Sequence, residues 1–218
     1  TLNGLSLSVG SLSPAFATGT TSYSSSVLFS TTSITVTPTR TNAYATIKVN
    51  GVNVTSGSPS SSINLNVGSN TITVVGTAEN GTTTATYTIT VTRNAAANVA
   101  TLSGLTISAG TLSPTFSTAT TSYTASVLFA NSTINITPTR TNAYATIKVN
   151  GVNATSGSPS TVNLSVGSNT ISVVVTAEDG TTTTTYTITV TRGVAETVSS
   201  LSAITTSPSF TLSPTFAT

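Results

Sequence analysis

Thr41 to Ser60 reads TNAYATIKVNGVNVTSGSPS, and the same twenty residues return from Thr141 to Ser160 with one change, Val54 to Ala154. Within it Ala43, Ala45, Ile47 and Val49 alternate with polar residues, a period of two that sets the apolar side chains on one face of a strand. Asn50-Gly51 follows, the pair best suited to a tight hairpin turn because both central residues of that turn need positive φ. A strand, a reversal and a returning chain make a hairpin with one packed face and one wet face. The stretch recurs at an offset of 100 residues, so the repeat is the unit of the fold.

The repeat extends in both directions. LNGLSLSVGSLSPAF from Leu2 returns as LSGLTISAGTLSPTF from Leu102 and begins again at Leu201 as LSAITTSPSFTLSPTF. After a one-residue deletion Tyr87 matches Tyr186 and Arg93 matches Arg192. The expected organisation is a first unit over 1–93, a linker over 94–100, a second unit over 101–192 and a linker over 193–199. Residues 200–218 read as the first strand segment of a third repeat, truncated or donated to a neighbour. The linkers are short, carry Ala and Val, and lack the Gly/Ser run of a floppy tether, which predicts end-to-end stacking with limited bending. With no methionine, the sequence reads as a processed chain or a stretch of a longer one.

Alternation continues through Ile34 and Val36, then Ile63, Leu65 and Val67, then Ile72 and Val74, and lastly Ala85, Tyr87, Ile89 and Val91. Asn80-Gly81, Asn150-Gly151 and Asp179-Gly180 read as further hairpin turns of the same type. Six or seven short strands per unit follow from the spacing of turns. Threonine makes up roughly a quarter of the chain, and β-branched residues favour strands over helices. The fold class is all-β: tandem immunoglobulin-like antiparallel β-sandwiches.

Charge removes several functions. Six basic and four acidic residues make up all the charge, and the cations are scattered, whereas nucleic-acid binding needs clustered Lys and Arg to displace counterions. No apolar run is long enough to insert in a membrane as a helix. Cysteine is absent, so no disulfide framework exists. A surface solvated by hydroxyls and amides rather than charges points to an extracellular or cell-surface location.

The first unit carries Leu12-Ser13-Pro14, Phe16, Tyr23, Asn50-Gly51, Gly57, Val67-Gly68-Ser69-Asn70, Ala78-Glu79-Asn80-Gly81, Thr86-Tyr87 and Arg93. The second carries Leu112-Ser113-Pro114, Phe116, Tyr123, Asn150-Gly151, Val166-Gly167-Ser168-Asn169, Ala177-Glu178-Asp179-Gly180, Tyr186 and Arg192. In these motifs each unit resembles the cadherin-like β-sandwich repeat of bacterial and archaeal surface proteins. The resemblance implies an immunoglobulin-like sandwich, tandem arrangement and exposure outside the cell.

Candidate chemistry is sparse. Tyr44 and Lys48 have the Tyr-x-x-x-Lys spacing of short-chain dehydrogenases, but that chemistry needs a helical turn and a glycine-rich nucleotide loop, and here the segment alternates as a strand. Serine and threonine hydroxyls have no histidine base, and a glycosidase needs two placed carboxylates. The linkers hold too few acids for a calcium site of the cadherin type, and no cofactor or metal is expected. A Lys–Asn isopeptide bond would need Lys48 with Glu79, or Lys148 with Glu178, in the core beside an asparagine; the competing reading leaves both lysines in solvent. Asn53, Asn80, Asn131, Asn135, Asn153 and Asn163 stand in Asn-x-Ser/Thr glycosylation acceptors. Tyr44 and Tyr144 fall out of phase with the core and are candidates for sugar stacking or interface contacts. Arg93 and Arg192 close their units and are expected to cap carbonyls.

The function these features imply is a non-enzymatic structural repeat array of an extracellular stalk, surface fibre or filament. The alternative is an adhesin or carbohydrate-binding module. Partners are copies of itself or adjacent repeats, with surface glycans under the alternative. Leu201, Ile204, Phe210, Leu212 and Phe216 form the candidate assembly strand.

Overall fold

The structure, a computed structural model, describes residues 1–197. The chain divides into two compact units, Thr1–Ala96 and a second that starts at Ala97.

The first unit is built from β1 (Leu2–Leu7), β2 (Ser22–Val27), β3 (Ser33–Ile34), β4 (Val36–Arg40), β5 (Thr46–Val49), β6 (Val52–Asn53), β7 (Ile63–Asn64), β8 (Gly68–Thr77) and β9 (Thr84–Arg93). One layer pairs β1 with β4 and β3 with β7; the other is a five-stranded sheet in the order β2-β9-β8-β5-β6. The second unit repeats this with β10 (Leu102–Ile107), β11 (Ser122–Val127), β12 (Thr133–Arg140), β13 (Thr146–Val149), β14 (Val152–Ala154), β15 (Ser160–Asn163), β16 (Gly167–Thr176) and β17 (Thr183–Arg192). Its layers are β10-β12-β15 and β11-β17-β16-β13-β14.

All-β sandwiches in tandem are thus what the chain forms, with two refinements. The pairing is not wholly antiparallel: β2 runs parallel to β9, Tyr23 opposite Ile89, and β11 runs parallel to β17, Tyr123 opposite Ile188. The units have nine and eight strands rather than six or seven, because short edge strands of two to four residues (β6, β7, β14 and β15) add to the count and β3 and β4 stand where the second unit has the single strand β12.

The alternating residues fill each core. Ile34, Val36, Ile47, Val49, Ile72, Val74, Tyr87, Ile89 and Val91 are buried in the first unit, and their counterparts in the second. Two expected core positions fall elsewhere. Ala43 lies in the turn before β5, so the alternation there begins only at Ala45. Val67 is exposed because the chain turns at Gly68, whose φ is 92°, before β8 starts inward.

Turn chemistry splits the Asx-Gly pairs into two kinds. Asn50 and Gly51 have φ of 47° and 81°, and Asn150 and Gly151 have 48° and 81°, the doubly left-handed turn expected. At Asn80-Gly81 and Asp179-Gly180 only the glycine is left-handed. The side-chain Oδ1 of Asn80 accepts the amides of Thr82 and Thr83, and Oδ1 of Asp179 accepts those of Thr181 and Thr182. This side-chain turn closes a wider loop, in which the Ala78 amide reaches the Thr83 carbonyl.

Candidate functional site

The ends of each sandwich carry polar contacts that recur in both units, and the strand registers place them. β8 begins and β2 and β9 finish at one end, since Gly68 pairs with Arg93 and Val27 with Arg93. At this trailing end Arg93 donates through Nε to the Phe29 carbonyl at 2.8 Å and through Nη1 to the Leu65 carbonyl at 3.0 Å. Its guanidinium stacks on the Phe29 ring, 4.8 Å from the centroid. Arg192 does the same to the Phe129 and Leu164 carbonyls and the Phe129 ring. The arginines therefore cap carbonyls and tie three loops together.

Apolar side chains surround these pins. Leu28 and Val67 are exposed in the first unit, and Leu128, Phe129 and Val166 in the second. Asn70 and Asn169 staple the neighbouring turn: Asn70 accepts the Asn66 amide and donates to the Asn66, Gly68 and Val91 carbonyls. This is the physical content of the repeated Val-Gly-Ser-Asn motif.

At the opposite, leading end the first strand enters. Tyr87 accepts the Leu2 amide and Tyr186 accepts the Leu102 amide, both in the core. Tyr23 donates to the Thr20 carbonyl at 2.7 Å and its ring stacks on Phe16, a pairing repeated by Tyr123 and Phe116. The Leu-Ser-Pro motifs contain cis bonds at Ser13–Pro14 and Ser113–Pro114. The hairpin tips with Glu79 and Glu178 lie at this end too.

Lys48 and Lys148 are exposed on the solvent face of β5 and β13, as the alternating pattern requires of residues between Ile47 and Val49 or Ile147 and Val149. Glu79 is exposed, and Glu178 is half-buried and accepts the Ala97 amide. Neither unit brings lysine, acid and asparagine together in its core, so the arrangement for an isopeptide bond is not formed at these residues. Burying either lysine would turn its whole strand over.

Asn53, Asn153 and Asn163 are exposed on edge strands. Asn80 is exposed but its amide nitrogen is bonded to Thr83, while Asn131 and Asn135 are half-buried. Tyr44 and Tyr144 stand out from turns, 74% and 48% exposed, each with its amide bonded to Asn42 or Asn142. Leu201, Ile204, Phe210, Leu212 and Phe216 lie outside the described residues.

Surface grooves offer little reactive chemistry. One groove, about 490 Å³, lies between the edge strands β14 and β15 and is lined by Val149, Val152, Val162, Asn150, Thr161 and Asn163. Alkyl groups, amides and hydroxyls do not titrate near neutral pH and offer no general acid or base. A smaller groove recurs in both units beside Arg40 and Arg140, where each guanidinium donates to the carbonyl of Ala45 or Ala145. Among the described residues no three His, Cys, Asp or Glu side chains cluster as a metal site would require, and no helix is long and apolar enough to cross a membrane.

A family model described as the cadherin-like beta sandwich domain matches twice, over residues 2–94 and 102–193. The chain belongs to this family. Cadherin-like domains of this kind are typically non-catalytic. A search of curated protein sequences found no match. Among solved structures, titin domains z1z2 in complex with telethonin are 13% identical with a TM-score of 0.34, over 89% of this chain and all of that one. The fibronectin(III)-like modules of Clostridium thermocellum CbhA are 10% identical with a TM-score of 0.24, over 87% and 94% of the two chains. BT4661, a SusE-like surface located polysaccharide binding protein from Bacteroides thetaiotaomicron, is 12% identical with a TM-score of 0.24. It covers 78% of this chain and 33% of its own. Scores this low lend no argument beyond the family match.

Proposed function

We propose that this cadherin-like chain is a non-enzymatic structural array of the cell surface, a stretch of extracellular stalk, fibre or filament. The observation that carries this reading is the repetition of the same tying contacts at both ends of each unit. Both sandwiches hold the first strand by a buried tyrosine and tie the trailing end by a stacked arginine, with the same partners at matching positions. A recognition tip would differ from its stalk, whereas these units agree through their loops. Low charge weakens repulsion between neighbouring copies, which suits lateral and end-to-end association. Surfaces clothed in hydroxyls and amides support the extracellular setting, and glycans on exposed Asn53, Asn153 and Asn163 would be compatible with it.

The Leu201–Phe216 run is proposed as a joint to the next repeat, in the same chain or another. Exchange into the place of β1 would bring Ala203 to the position of Gly4, where a Cβ meets Thr39 Oγ1 at 3.2 Å. The run therefore fits that place less well than Leu2–Leu7.

The second reading, a glycan-binding module, rests on the exposed Tyr44 and Tyr144, whose rings are free to stack on sugars. Electron microscopy of the purified protein, with its intact denatured mass, tests the first. Filaments or beaded strings are expected. Compact, unassociated particles, together with a glycan-array signal lost in Y44A/Y144A, would overturn it in favour of the second.

A further inference from the structure

Arg40 ends β4 and Arg140 ends β12, and each is half-buried beside a groove. A guanidinium has five N–H donors. Among the described residues the Arg40 side chain donates through Nη1 alone, to the Ala45 carbonyl at 2.8 Å, and Arg140 does the same to Ala145. Arg93, by contrast, is held by two carbonyls and a ring. Glu79 and Glu178 follow shortly after Thr77 and Thr176, the ladder partners of Thr46 and Thr146. Neither is bonded to an arginine among the described residues. Each groove therefore presents a fork of donors without an anion to receive it.

The rest of the lining suits a polyhydroxy ligand. Thr46, Asn53 and Thr55 bring hydroxyls and an amide, and Ile47 and Val54 an apolar side, around about 360 Å³. Thr146, Asn153, Ile147 and Ala154 do the same around about 300 Å³ in the second unit. Small-molecule sites begin at roughly 300 Å³. Lys48 is exposed directly opposite Asn53, as Lys148 is opposite Asn153, so a second cation stands at each rim. Tyr44 and Tyr144 precede the alanines that hold the guanidinium, and both are exposed. Residues 94–100 lead into the second unit and leave its groove open.

This surface is also one that the two units share. Exposed Tyr44, Thr46, Asn53 and Thr55 recur unchanged, whereas exposed Asn3, Ser11 and Ala17 become Ser103, Thr111 and Ser117. Folding tolerates change at exposed positions, so identity there points to a common use.

We propose that the Arg40 and Arg140 grooves are twin binding sites for an acidic saccharide, each taking one uronic-acid residue. The sugar carboxylate accepts from the guanidinium fork, a geometry that arginine offers and lysine does not. Sugar hydroxyls pair with the Thr46 and Thr55 hydroxyls and the Asn53 amide, and the C–H face of the sugar ring packs on the tyrosine. A bare anion would use the fork alone, whereas a uronate uses every group around it. This goes beyond the array reading and stands apart from it. A stalk with such a site on each unit binds acidic polysaccharide repeat by repeat rather than at a tip.

Titration of the full chain with trigalacturonate, followed by NMR of the backbone amides, tests this. The protein is made in a host that leaves Asn53 and Asn153 without glycans, and salt is held constant. Saturable shifts are expected over residues 44–55 and 144–155. The methyl-esterified trisaccharide lacks the charge and is expected to bind about tenfold more weakly, the worth of one charge-assisted hydrogen bond. R40K/R140K keeps the charge but not the fork, and is expected to weaken trigalacturonate by a similar factor. N53D/N153D leaves the contacts to Ala45 and Ala145 in place and is expected to weaken it as well, by setting a like charge in the groove. Unchanged spectra outside the grooves confirm that both variants are folded. Absent shifts, shifts that map elsewhere, equal binding of acid and ester, or full retention in R40K/R140K would overturn the sites. Triglutamate binding as tightly as trigalacturonate would make them general anion sites and overturn the saccharide. All of these outcomes leave the array reading to the microscopy.

Discussion

The hydroxyl of Tyr87 accepts the backbone amide of Leu2 at 2.9 Å, joining two fully buried residues that lie 85 positions apart in the chain. Tyr186 and Leu102 repeat the contact at 3.0 Å. The first strand of each unit is an edge strand, paired on one side only, with β1 on β4 and β10 on β12. Its register also slips between Leu2 and Gly4, and again between Leu102 and Gly104. A buried amide beside such a slip has no ladder partner, and the tyrosine from the last strand supplies one.

Phenylalanine at either tyrosine keeps the ring in the core and orphans the amide. A buried donor without a partner costs about 1–3 kcal/mol. Y87F is expected to destabilise the first unit by that amount and leave the second unchanged, and Y186F the reverse. Native-state hydrogen exchange, read separately for the two units, checks this. Equal loss in both units from one substitution would contradict the assignment.

Ser25 makes the opposite prediction. Its hydroxyl is buried with no hydrogen-bond partner, and the second unit places Ala125 at the same point on β11, also buried. Removing an unsatisfied hydroxyl without changing shape recovers its desolvation cost. S25A is expected to stabilise the first unit by roughly 1 kcal/mol, and A125S to destabilise the second by a similar amount. Thermal melts of the two variants against the parent decide it.

What the sequence shows and what it hides can be seen in these residues. Ile47, Val49, Ile89 and Val91 are legible because strand periodicity and burial coincide. Arg93 is legible as a carbonyl cap because a lone cation after the last strand has few other uses. The partner of Tyr87 is not, since a hydrogen bond across 85 residues leaves no local pattern. Nor is the Glu178 contact to Ala97, which depends on where a linker runs. The Asn80 and Asp179 turns were open to misreading because Asx-Gly fits two turn types. The side chain decides between them by bonding the amides two and three residues on.

The stacked arginines give a third prediction. Arg93 offers two directed N–H donors and a flat face to Phe29, and lysine can reproduce neither the fork nor the stacking. R93A is expected to cost the first unit about 2 kcal/mol, since it strips charge-assisted bonds from the Phe29 and Leu65 carbonyls. R93K is expected to recover less than half of that loss. Chemical denaturation of the variants measures both. Full rescue by lysine would show that charge alone matters at this end.

The last prediction concerns acid. The Asp179 carboxyl is held down, from 3.8 to about 2, first by the Thr182 hydroxyl and then by the Thr182 and Thr181 amides that bond its charged form. A carboxylate with a lower value in the folded chain than in the unfolded chain favours folding once it is ionised in both. Its contribution is therefore complete above the unfolded value of 3.8 and is lost as the pH falls through about 2. In that window the unfolded chain holds more protons, and stability rises with pH. Asn80 closes the equivalent turn with a neutral amide, so the first unit has no such dependence at this position. D179N keeps the acceptor oxygen and removes the titration. Melting the parent and D179N between pH 5 and pH 2 is expected to show a steeper acid loss in the second unit of the parent, flattened by the substitution. An equal slope in both proteins would mean that the turn gains nothing from the charge.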